Sequence, residues 1–324
     1  MSEHDTMQCC ASCGIAGLDD IKLKDCDCDL VKYCSDECQE DHRPKHEEEC
    51  KKRVAELHDE ILFEQPEGSH LGDCPICCLP LLIGTSTTLL TCCSKQICTG
   101  CYIMNKKREH ERKLQHKCEF CREAPHKTNE ESFERLIKRV EANDPVAINS
   151  MGTSYSNQRE YKAAFEYFTR AAALGDANAH YKLSGLYQFG RGVEKDEIKQ
   201  IHHLKEAAIG GHPHARYNLG CVESENGRMD RAAKHFIIAT KLGCDKSLDN
   251  LKVLYEAGHV SKDDFDAALC GHQAAIDAST SPQRKMAAKV YDLLIAKREK
   301  KGEKSPQKEA AAVFARWTAE RERR

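Results

Sequence analysis

Residues 179–215, AHYKLSGLYQFGRGVEKDEIKQIHHLKEAAIGGHPHA, contain the fullest unit of an internal repeat in this chain of 324 residues. Leu183 and Tyr187 are about one helical turn apart, and the second half of the unit ends in Ala207-Ala208 followed by Gly211. Alanines let two helices approach closely, and glycine adopts the left-handed conformation that ends a helix. The stretch therefore predicts a helix-turn-helix unit.

The same pattern recurs on both sides of this stretch, at spacings of 32, 36 and 32 residues. The apolar position of Leu183 is filled in each of four units, by Met151, Leu183, Leu219 and Leu251. The helix-ending glycine recurs in the first three units, as Gly175, Gly211 and Gly243. One helix pair cannot bury its own apolar face, so the units are predicted to stack into an α-solenoid.

These repeated residues resemble the Sel-like repeat family, whose members are related to tetratricopeptide repeats. The resemblance covers residues 145–280. The fourth unit is degenerate, because no helix-ending glycine follows Ala274-Ala275, its counterpart of Ala207-Ala208. It implies a mainly α fold in which a solenoid of helix-turn-helix repeats, assigned to residues 128–295, offers a concave surface to a protein partner.

Seventeen of the twenty cysteines lie between Cys9 and Cys121, in a polar part of the chain. The N-terminal residues MSEHDTMQCC contain no apolar signal-peptide core, so we expect an intracellular location, cytoplasmic or nuclear. Clustered thiols in a reducing compartment are typical of metal ligands rather than disulfides. Since about fifty residues cannot supply a hydrophobic core, we predict two small zinc-stabilised modules ahead of the solenoid.

The first set of candidate metal ligands comes in pairs. Two thiolates separated by two residues can bind one ion from a tight turn, and His46 and Cys50 share one face of a helix. Eight such side chains make two tetrahedral sites. They are Cys10, Cys13, Cys26, Cys28, Cys34, Cys38, His46 and Cys50.

The stretch KYCSDECQEDHRPKHEEEC, residues 32–50, resembles the MYND zinc finger. The resemblance implies a module over residues 9–50 in which ligand pairs alternate between two ions. One ion would be held by Cys10, Cys13, Cys34 and Cys38, and the other by the remaining four ligands. Two features depart from the family: Cys26 and Cys28 are one residue closer than usual, and Arg43 replaces a tryptophan with which some members bind proline-rich peptides.

A second set of ligands, within residues 73–125, resembles a RING finger. The stretch CCSKQICTGCY, residues 92–102, looks like the all-cysteine variant, with Lys95 where other RING fingers have a histidine. The resemblance implies that Cys74, Cys77, Cys98 and Cys101 share one ion. The other ion would be held by Cys92, Cys93, Cys118 and Cys121. With the first module, the predicted cofactor is about four zinc ions per chain.

RING fingers of ubiquitin ligases hold a ubiquitin-conjugating enzyme and do no covalent chemistry themselves. By this resemblance, Ile76, Pro80 and Leu81 would contact that enzyme. Tyr102 matches a frequent aromatic residue, and Arg122 matches the basic residue that holds ubiquitin. A ubiquitin ligase whose repeats recruit its substrate is therefore the alternative function.

The remaining segments are predicted from pattern and composition. Residues 51–72 form a helix and linker, because KKRVAELHDEILF is apolar at helical spacing and is followed by Pro66 and Gly68. In the second module, LPLLIG and TTLLT are predicted strands, and MNKKREHERKLQHK is a solvated helix. Residues 296–324 are a charged tail with a short helix around Trp317.

Several function classes are excluded or disfavoured by the sequence. No apolar stretch approaches the ~18 residues that span a bilayer, and a net charge of -3 does not indicate a nucleic-acid partner. No nucleophile elbow, metalloprotease motif or nucleotide loop is present. The leading prediction is a zinc-binding adaptor or scaffold for other proteins, and transcriptional regulation is a third hypothesis by analogy with MYND proteins.

Overall fold

The computed structural model describes residues 9–13, 23–82, 87–115, 117–126 and 128–300. The chain divides into two compact units, Met1–Glu64 and Gln65–Arg324. Twelve helices and four short strands occur among the described residues, so the prediction of a mainly α fold is confirmed. The predicted short helix around Trp317 lies outside the described residues.

The first unit contains one small hairpin and one long helix. Strand β1 (Lys24–Asp25) pairs antiparallel with β2 (Lys32–Tyr33), and helix α1 spans Asp36–Phe63. Ser35 begins α1 as its N-cap, and its Oγ accepts a hydrogen bond from the Cys38 backbone N–H at 3.2 Å. The helix was predicted only over residues 51–63, because its first half buries His46 rather than an apolar stripe.

The second unit begins with a cysteine-rich segment. Strand β3 (Thr87–Leu90) pairs antiparallel with β4 (Lys95–Cys98), and helix α2 (Thr99–Glu111) follows directly. The strand prediction for TTLLT is confirmed. The prediction for LPLLIG is wrong over its described part, because Pro80 forms only an isolated bridge with Asp73. Proline has no N–H with which to extend a ladder.

The rest of the described chain is a succession of helices. They are α3 (Asn129–Glu141), α4 (Pro145–Asn157), α5 (Tyr161–Ala173), α6 (Ala177–Phe189), α7 (Glu197–Ile209), α8 (Pro213–Glu225), α9 (Met229–Lys241), α10 (Asp245–Glu256), α11 (Lys262–Ser279) and α12 (Pro282–Lys300). Helices α4 and α5, α6 and α7, and α8 and α9 pack as pairs, and each pair packs on the next. This is the predicted solenoid, and its repeats coincide with the sequence units.

The repeated apolar residues form the core of the solenoid. Met151, Leu183, Leu219 and Leu251 are each no more than 2% exposed. The second helices contribute Phe168, Leu204 and Phe236, which are also buried. The helix-ending glycines adopt positive φ, as in Gly175 at 84° and Gly243 at 82°.

Two further glycines matter because of how closely the helices cross. A Cβ atom on Gly152 would lie 2.7 Å from the Phe168 ring, and one on Gly220 would lie 2.5 Å from the Phe236 ring. Both glycines directly follow the repeated apolar position, in the first and third sequence repeats. The phenylalanine of each second helix therefore packs on the bare backbone of the first helix.

The cysteine-rich segment and the solenoid are joined at several places within the second unit. The Thr91 hydroxyl is 3.0 Å from the Ser132 hydroxyl on α3. The His70 backbone N–H donates to the Gly211 carbonyl at 3.1 Å. Helix α12 packs along α2, and the Arg284 guanidinium donates to the Pro80 carbonyl at 2.7 Å. These contacts tie the segment to the first, middle and last parts of the helical array.

Within the described residues, none of the helices combines the length and the apolar character that a bilayer-spanning helix requires.

Replacing Gly220 by alanine is expected to destabilise the protein by about 1–3 kcal/mol, because the added methyl group overlaps the Phe236 ring. Gly185→Ala on α6 is the matched control, since a methyl group at Gly185 would meet no neighbouring atom within 4 Å. The control variant is expected to gain about 0.5–1 kcal/mol from helix propensity. Urea unfolding of the zinc-loaded full chain measures both values, and a stabilising Gly220→Ala would contradict the close crossing.

Candidate metal centres

The sixteen predicted ligands lie in four groups of four, and within each group all ligand atoms are within 4.8 Å of one another. The groups are Cys10, Cys13, Cys34 and Cys38; Cys26, Cys28, His46 and Cys50; Cys74, Cys77, Cys98 and Cys101; and Cys92, Cys93, Cys118 and Cys121. Four sulfur ligands at about 2.3 Å from a tetrahedral zinc ion are about 3.8 Å apart. The separations within these groups fit that geometry.

In the first unit, the ligand pairs alternate between two groups along the chain. The Cys13 and Cys34 sulfurs are 3.5 Å apart, and Cys34 and Cys38 are 3.6 Å apart. The first turn of α1 places Cys38, and the same helix carries His46 and Cys50 further along. The hairpin and the N-terminal half of α1 thus position most of both groups.

Cys26, which departs most from the MYND spacing, lies inside its group. Its sulfur is 3.5 Å from the Cys50 sulfur and 3.8 Å from His46 Nε2. A turn closes the short Cys26-x-Cys28 spacing, in which the Asp29 backbone N–H donates to the Cys26 carbonyl at 2.9 Å. Asp29 has a left-handed φ of 56°, which reverses the chain after the two thiols.

His46 presents Nε2 to its group, 3.1 Å from the Cys28 sulfur. Its other nitrogen, Nδ1, lies 3.7 Å from a carboxylate oxygen of Glu49. This separation is longer than a hydrogen bond, so the exposed Glu49 carboxylate does not fix the tautomer of the ring. The His42 ring stacks on His46 with centroids 5.6 Å apart, and its Nδ1 lies 3.0 Å from the Tyr33 hydroxyl.

In the second unit, the hairpin β3–β4 and the start of α2 hold the ligands. The Cys98 sulfur caps α2 by accepting from the Cys101 backbone N–H at 3.3 Å, and the Cys74 sulfur accepts from the Cys98 N–H at 3.4 Å. The Cys77 and Cys98 sulfurs are 3.9 Å apart. These four thiols join the first zinc loop, residues 74–81, to the start of the helix.

The adjacent Cys92 and Cys93 both belong to the fourth group, because they lie in the tight turn between β3 and β4. The next residue, Ser94, has a left-handed φ of 56°. The Cys93 sulfur is 3.7 Å from the Cys118 sulfur. Lys95, at the place of the usual histidine, is exposed and outside the group.

The electrostatics of the groups explain why they require a cation. In the first group, the Cys13 backbone N–H lowers the pKa of the Cys10 thiol to about 6, whereas hydrogen bonding with Cys13 raises the pKa of Cys34 to about 12. Burial raises the pKa of Cys92 and of Cys101 in the second unit. Neighbouring thiolates repel each other, so four thiols at this spacing ionise together only around a positive ion.

The four groups are compatible with several bound zinc ions, in agreement with the predicted cofactor. Sulfur and imidazole donors in sets of four are the ligands of structural zinc sites, which leave no open position for a substrate. The assignment of individual residues to individual ions stays a prediction.

The predicted partner-binding residues differ in their exposure. Ile76 is 41% exposed on the first zinc loop. Arg122 is exposed and has a left-handed φ of 63° directly after the last ligand. Tyr102 is half-buried against the core around Ile97. The expectation that Leu81 belongs to a contact surface is wrong, because its side chain is fully buried in that core.

Arg284 is a residue near this site that the sequence did not reveal. Its guanidinium donates to the Leu79 carbonyl at 2.8 Å and to the Pro80 carbonyl at 2.7 Å, and lies 3.4 Å from the Cys77 sulfur. Helix α12 brings it there from 207 positions away in the sequence. The only local signal is Ser281-Pro282, which predicts the start of a helix but not its packing.

Comparison with known proteins identifies the first zinc module. The family model of the MYND finger matches residues 10–50, which confirms the MYND resemblance of this segment. The RING resemblance of residues 73–125 stays a prediction.

Curated relatives are similar to part of the chain. The rat protein "DAP3-binding cell death enhancer 1" is 29% identical over 48% of this chain and 39% of its own length. Its mouse counterpart is 22% identical over 51% of this chain and 40% of its own length. The chitin synthase regulator SKT5 of Saccharomyces cerevisiae is 40% identical over 22% of this chain and 10% of its own. The chain thus spans about two fifths of the first two relatives.

Among solved structures, a Sel1 repeat protein from Oxalobacter formigenes is similar with a TM-score of 0.41 and 23% identity. The similarity covers 53% of this chain and 50% of that one.

Metal analysis of the purified chain is expected to give about four zinc ions, one for each group. Cys92→Ser is expected to remove about one of them, because the fourth group then keeps only three thiols. Cys78→Ser is the matched control, since Cys78 is exposed and belongs to none of the four groups. Mass spectrometry of the metal content measures the difference. Four ions in Cys92→Ser would remove Cys92 from the ligand set.

Proposed function

We propose that this protein is a zinc-stabilised scaffold that binds other proteins on its helical repeats. The MYND match, the four groups of structural type and the solenoid support this proposal. Two relatives have names that describe action through another protein, one by binding DAP3 and one by regulating chitin synthase. A role of the same general kind fits a chain whose recognisable parts are binding modules.

The observation that carries the proposal is the position of helix α12. It packs along α2, and a Cβ atom on Gly100 of α2 would lie 3.1 Å from the Arg284 Cα. Arg284 also holds the carbonyls of Leu79 and Pro80 on the first zinc loop. By the RING resemblance, this loop is part of the surface on which a conjugating enzyme would bind. Since the chain's own helix holds it, a structural role for the second zinc module is favoured.

The solenoid offers a groove suited to a protein partner. Phe189 at the end of α6 is 62% exposed. It lines this groove together with Lys182, Arg191 and Asn218, and the volume of the groove is about 200 Å³. Burial lowers the pKa of the Lys182 ammonium. An exposed aromatic ring beside polar and cationic side chains is the composition of many protein-binding surfaces.

A RING-type ubiquitin ligase is the second candidate, because one observation favours it. The ligand pairs of the second module alternate between two groups, as RING cross-bracing requires, and Ile76 and Arg122 are exposed. In this case α12 would have to leave the first zinc loop before a conjugating enzyme could bind.

A ubiquitination assay separates the two candidates. We expect no ubiquitin transfer by the zinc-loaded full chain, nor by Arg284→Ala, with a panel of conjugating enzymes. If either protein transfers ubiquitin, and adding Ile76→Ala to that protein abolishes the transfer, the result would contradict a purely structural module and support the ligase. Ile198→Ala is the matched control, because Ile198 is 83% exposed on α7 and outside the zinc module.

A binding experiment tests the scaffold itself. We expect proteins captured by the wild-type chain to be lost in the double variant Lys182→Ala, Phe189→Ala, because the groove loses its aromatic and cationic side chains. Val253→Ala is the control, since Val253 is also 62% exposed but lies on α10. Quantitative mass spectrometry of the captured proteins gives the comparison. Equal recovery by all three proteins would contradict binding at this groove.

A further inference from the structure

A second cavity lies between the cysteine-rich segment and the solenoid, both within the second unit. Its volume is about 480 Å³, which lies in the range of ligand-binding pockets. One wall consists of the linker at His70 and Asp73 and the hairpin turn at Lys95. The opposite wall consists of the first turns of α4 and α6, with Asn149 and Asp176.

Asn149 supplies a hydrogen-bond acceptor that is not used within the protein. Its side chain is 8% exposed, and its Nδ2 donates to Asp176 Oδ1 at 3.2 Å. That donation fixes the amide orientation, because the nitrogen must face the carboxylate. The remaining Oδ1 is buried and has no partner among the described residues. An unpaired buried carbonyl costs free energy, which a ligand with an N–H donor would recover.

His70 adds a second polar atom of this kind. Its Nδ1 is buried and makes no hydrogen bond with the described residues. The imidazole ring stacks on His212 with centroids 4.2 Å apart, so its position is defined by packing. Burial lowers the pKa of His70 to about 4, and the ring is therefore neutral at pH 7. A neutral histidine adds no positive charge to the cavity.

The charges around the cavity favour a cation. Its lining contains two carboxylates, Asp73 and Asp176, against one ammonium group, that of the exposed Lys95. No ion pair joins either carboxylate to a described lysine, arginine or histidine. Burial raises the pKa of the Asp176 carboxyl, since no neighbouring cation compensates for lost solvent.

An anionic ligand is disfavoured at the same place. The two helix N-termini in the wall already have carboxylate caps. The Asp144 side chain accepts from the backbone N–H groups of Val146 and Ala147, and the Asp176 side chain accepts from that of Ala179. The helix dipoles are thus neutralised from within the chain.

We propose that this cavity binds a basic side chain, lysine or arginine, of a partner protein, an inference that rests on the proposed scaffold function. The N–H groups of the basic side chain donate to Asn149 Oδ1, and its charge faces Asp73 and Asp176. Acidic side chains are repelled, and apolar ones leave the buried acceptor unpaired. The cavity therefore adds a charge-selective contact to the groove at Phe189.

The test uses the full zinc-loaded chain, labelled with ¹⁵N, and four blocked tripeptides of the form Gly-X-Gly. X is arginine, lysine, citrulline or glutamate, and citrulline is the neutral isostere of arginine. We expect saturable shifts of the backbone signals of Asp73, Asn149 and Asp176 with the arginine and lysine peptides. The citrulline and glutamate peptides should bind much more weakly.

Two variants change the cavity differently. Asp73→Asn removes one exposed charge and should weaken binding of the basic peptides about two- to fivefold. Asn149→Leu replaces the acceptor by an apolar side chain of similar size and should weaken it at least about tenfold. Asp249→Asn makes the same charge change on the exposed face of α10 and should leave binding unaltered. A folded spectrum and an unchanged melting temperature confirm the integrity of each variant.

Equal shifts with the arginine and citrulline peptides would overturn the proposal, because charge would then play no part. It is also overturned if no basic peptide gives saturable shifts. Saturable shifts confined to the groove at Phe189 and Arg191 would overturn the basic pocket and leave the scaffold function standing.

Discussion

Repulsion between crowded thiolates is the constraint on which the cysteine-rich part of this protein, residues 9–121, depends. Each ligand group places four donor atoms within 4.8 Å of one another, so the groups can ionise fully only around a cation. Zinc therefore supplies the cohesion that apolar burial cannot provide in these segments. In the first unit the buried apolar cluster consists of three cysteines and Tyr33, so the ligands are also the core.

The solenoid is stabilised differently, by apolar packing between helix pairs rather than by metal ligation. Phe168 and Phe236 lie directly on glycine backbone, which brings the paired helices closer than ordinary side chains allow. The second cysteine-rich segment links these two kinds of structure. It contacts Ser132 near the beginning of the array and Arg284 at its end, so zinc binding and helix packing stabilise the same unit.

This linkage bears on function. A zinc module that is tied to the solenoid at several places differs from one that projects into solvent. The resemblance to RING fingers rests on the zinc ligands. Ligase activity would also require an accessible first zinc loop, and Arg284 of α12 donates to the Leu79 and Pro80 carbonyls of that loop. The cavity beside Asn149 has walls from the cysteine-rich segment and from the repeats, and neither part would form it alone. Binding of a ligand in this cavity would therefore require that both parts are folded and packed together.

Local patterns in the sequence determined the helical repeats and the pairing of neighbouring ligands, whereas the grouping of pairs into fours followed from the family resemblances. Met151, Leu183, Leu219 and Leu251 recur at the repeat spacing, and their burial follows directly from that period. Ligand pairs such as Cys98-x₂-Cys101 are likewise set by a single turn of chain. Patterns failed where the buried side chains are not apolar, as at the start of α1, where His46 is buried. They also failed at LPLLIG, which is apolar but contains a proline.

Only the tertiary structure decided which distant segments meet. Arg284 and Cys77 are 207 positions apart, and no periodicity or spacing relates them. The same is true of Asn149, whose role depends on Asp176 in the next repeat and on a hairpin some fifty residues earlier in the chain. A local pattern records what one helix or one turn needs in order to form. Contacts between distant segments form only when several such elements pack together. The residues that make these contacts share no repeat or spacing in the sequence, so no local pattern predicts them.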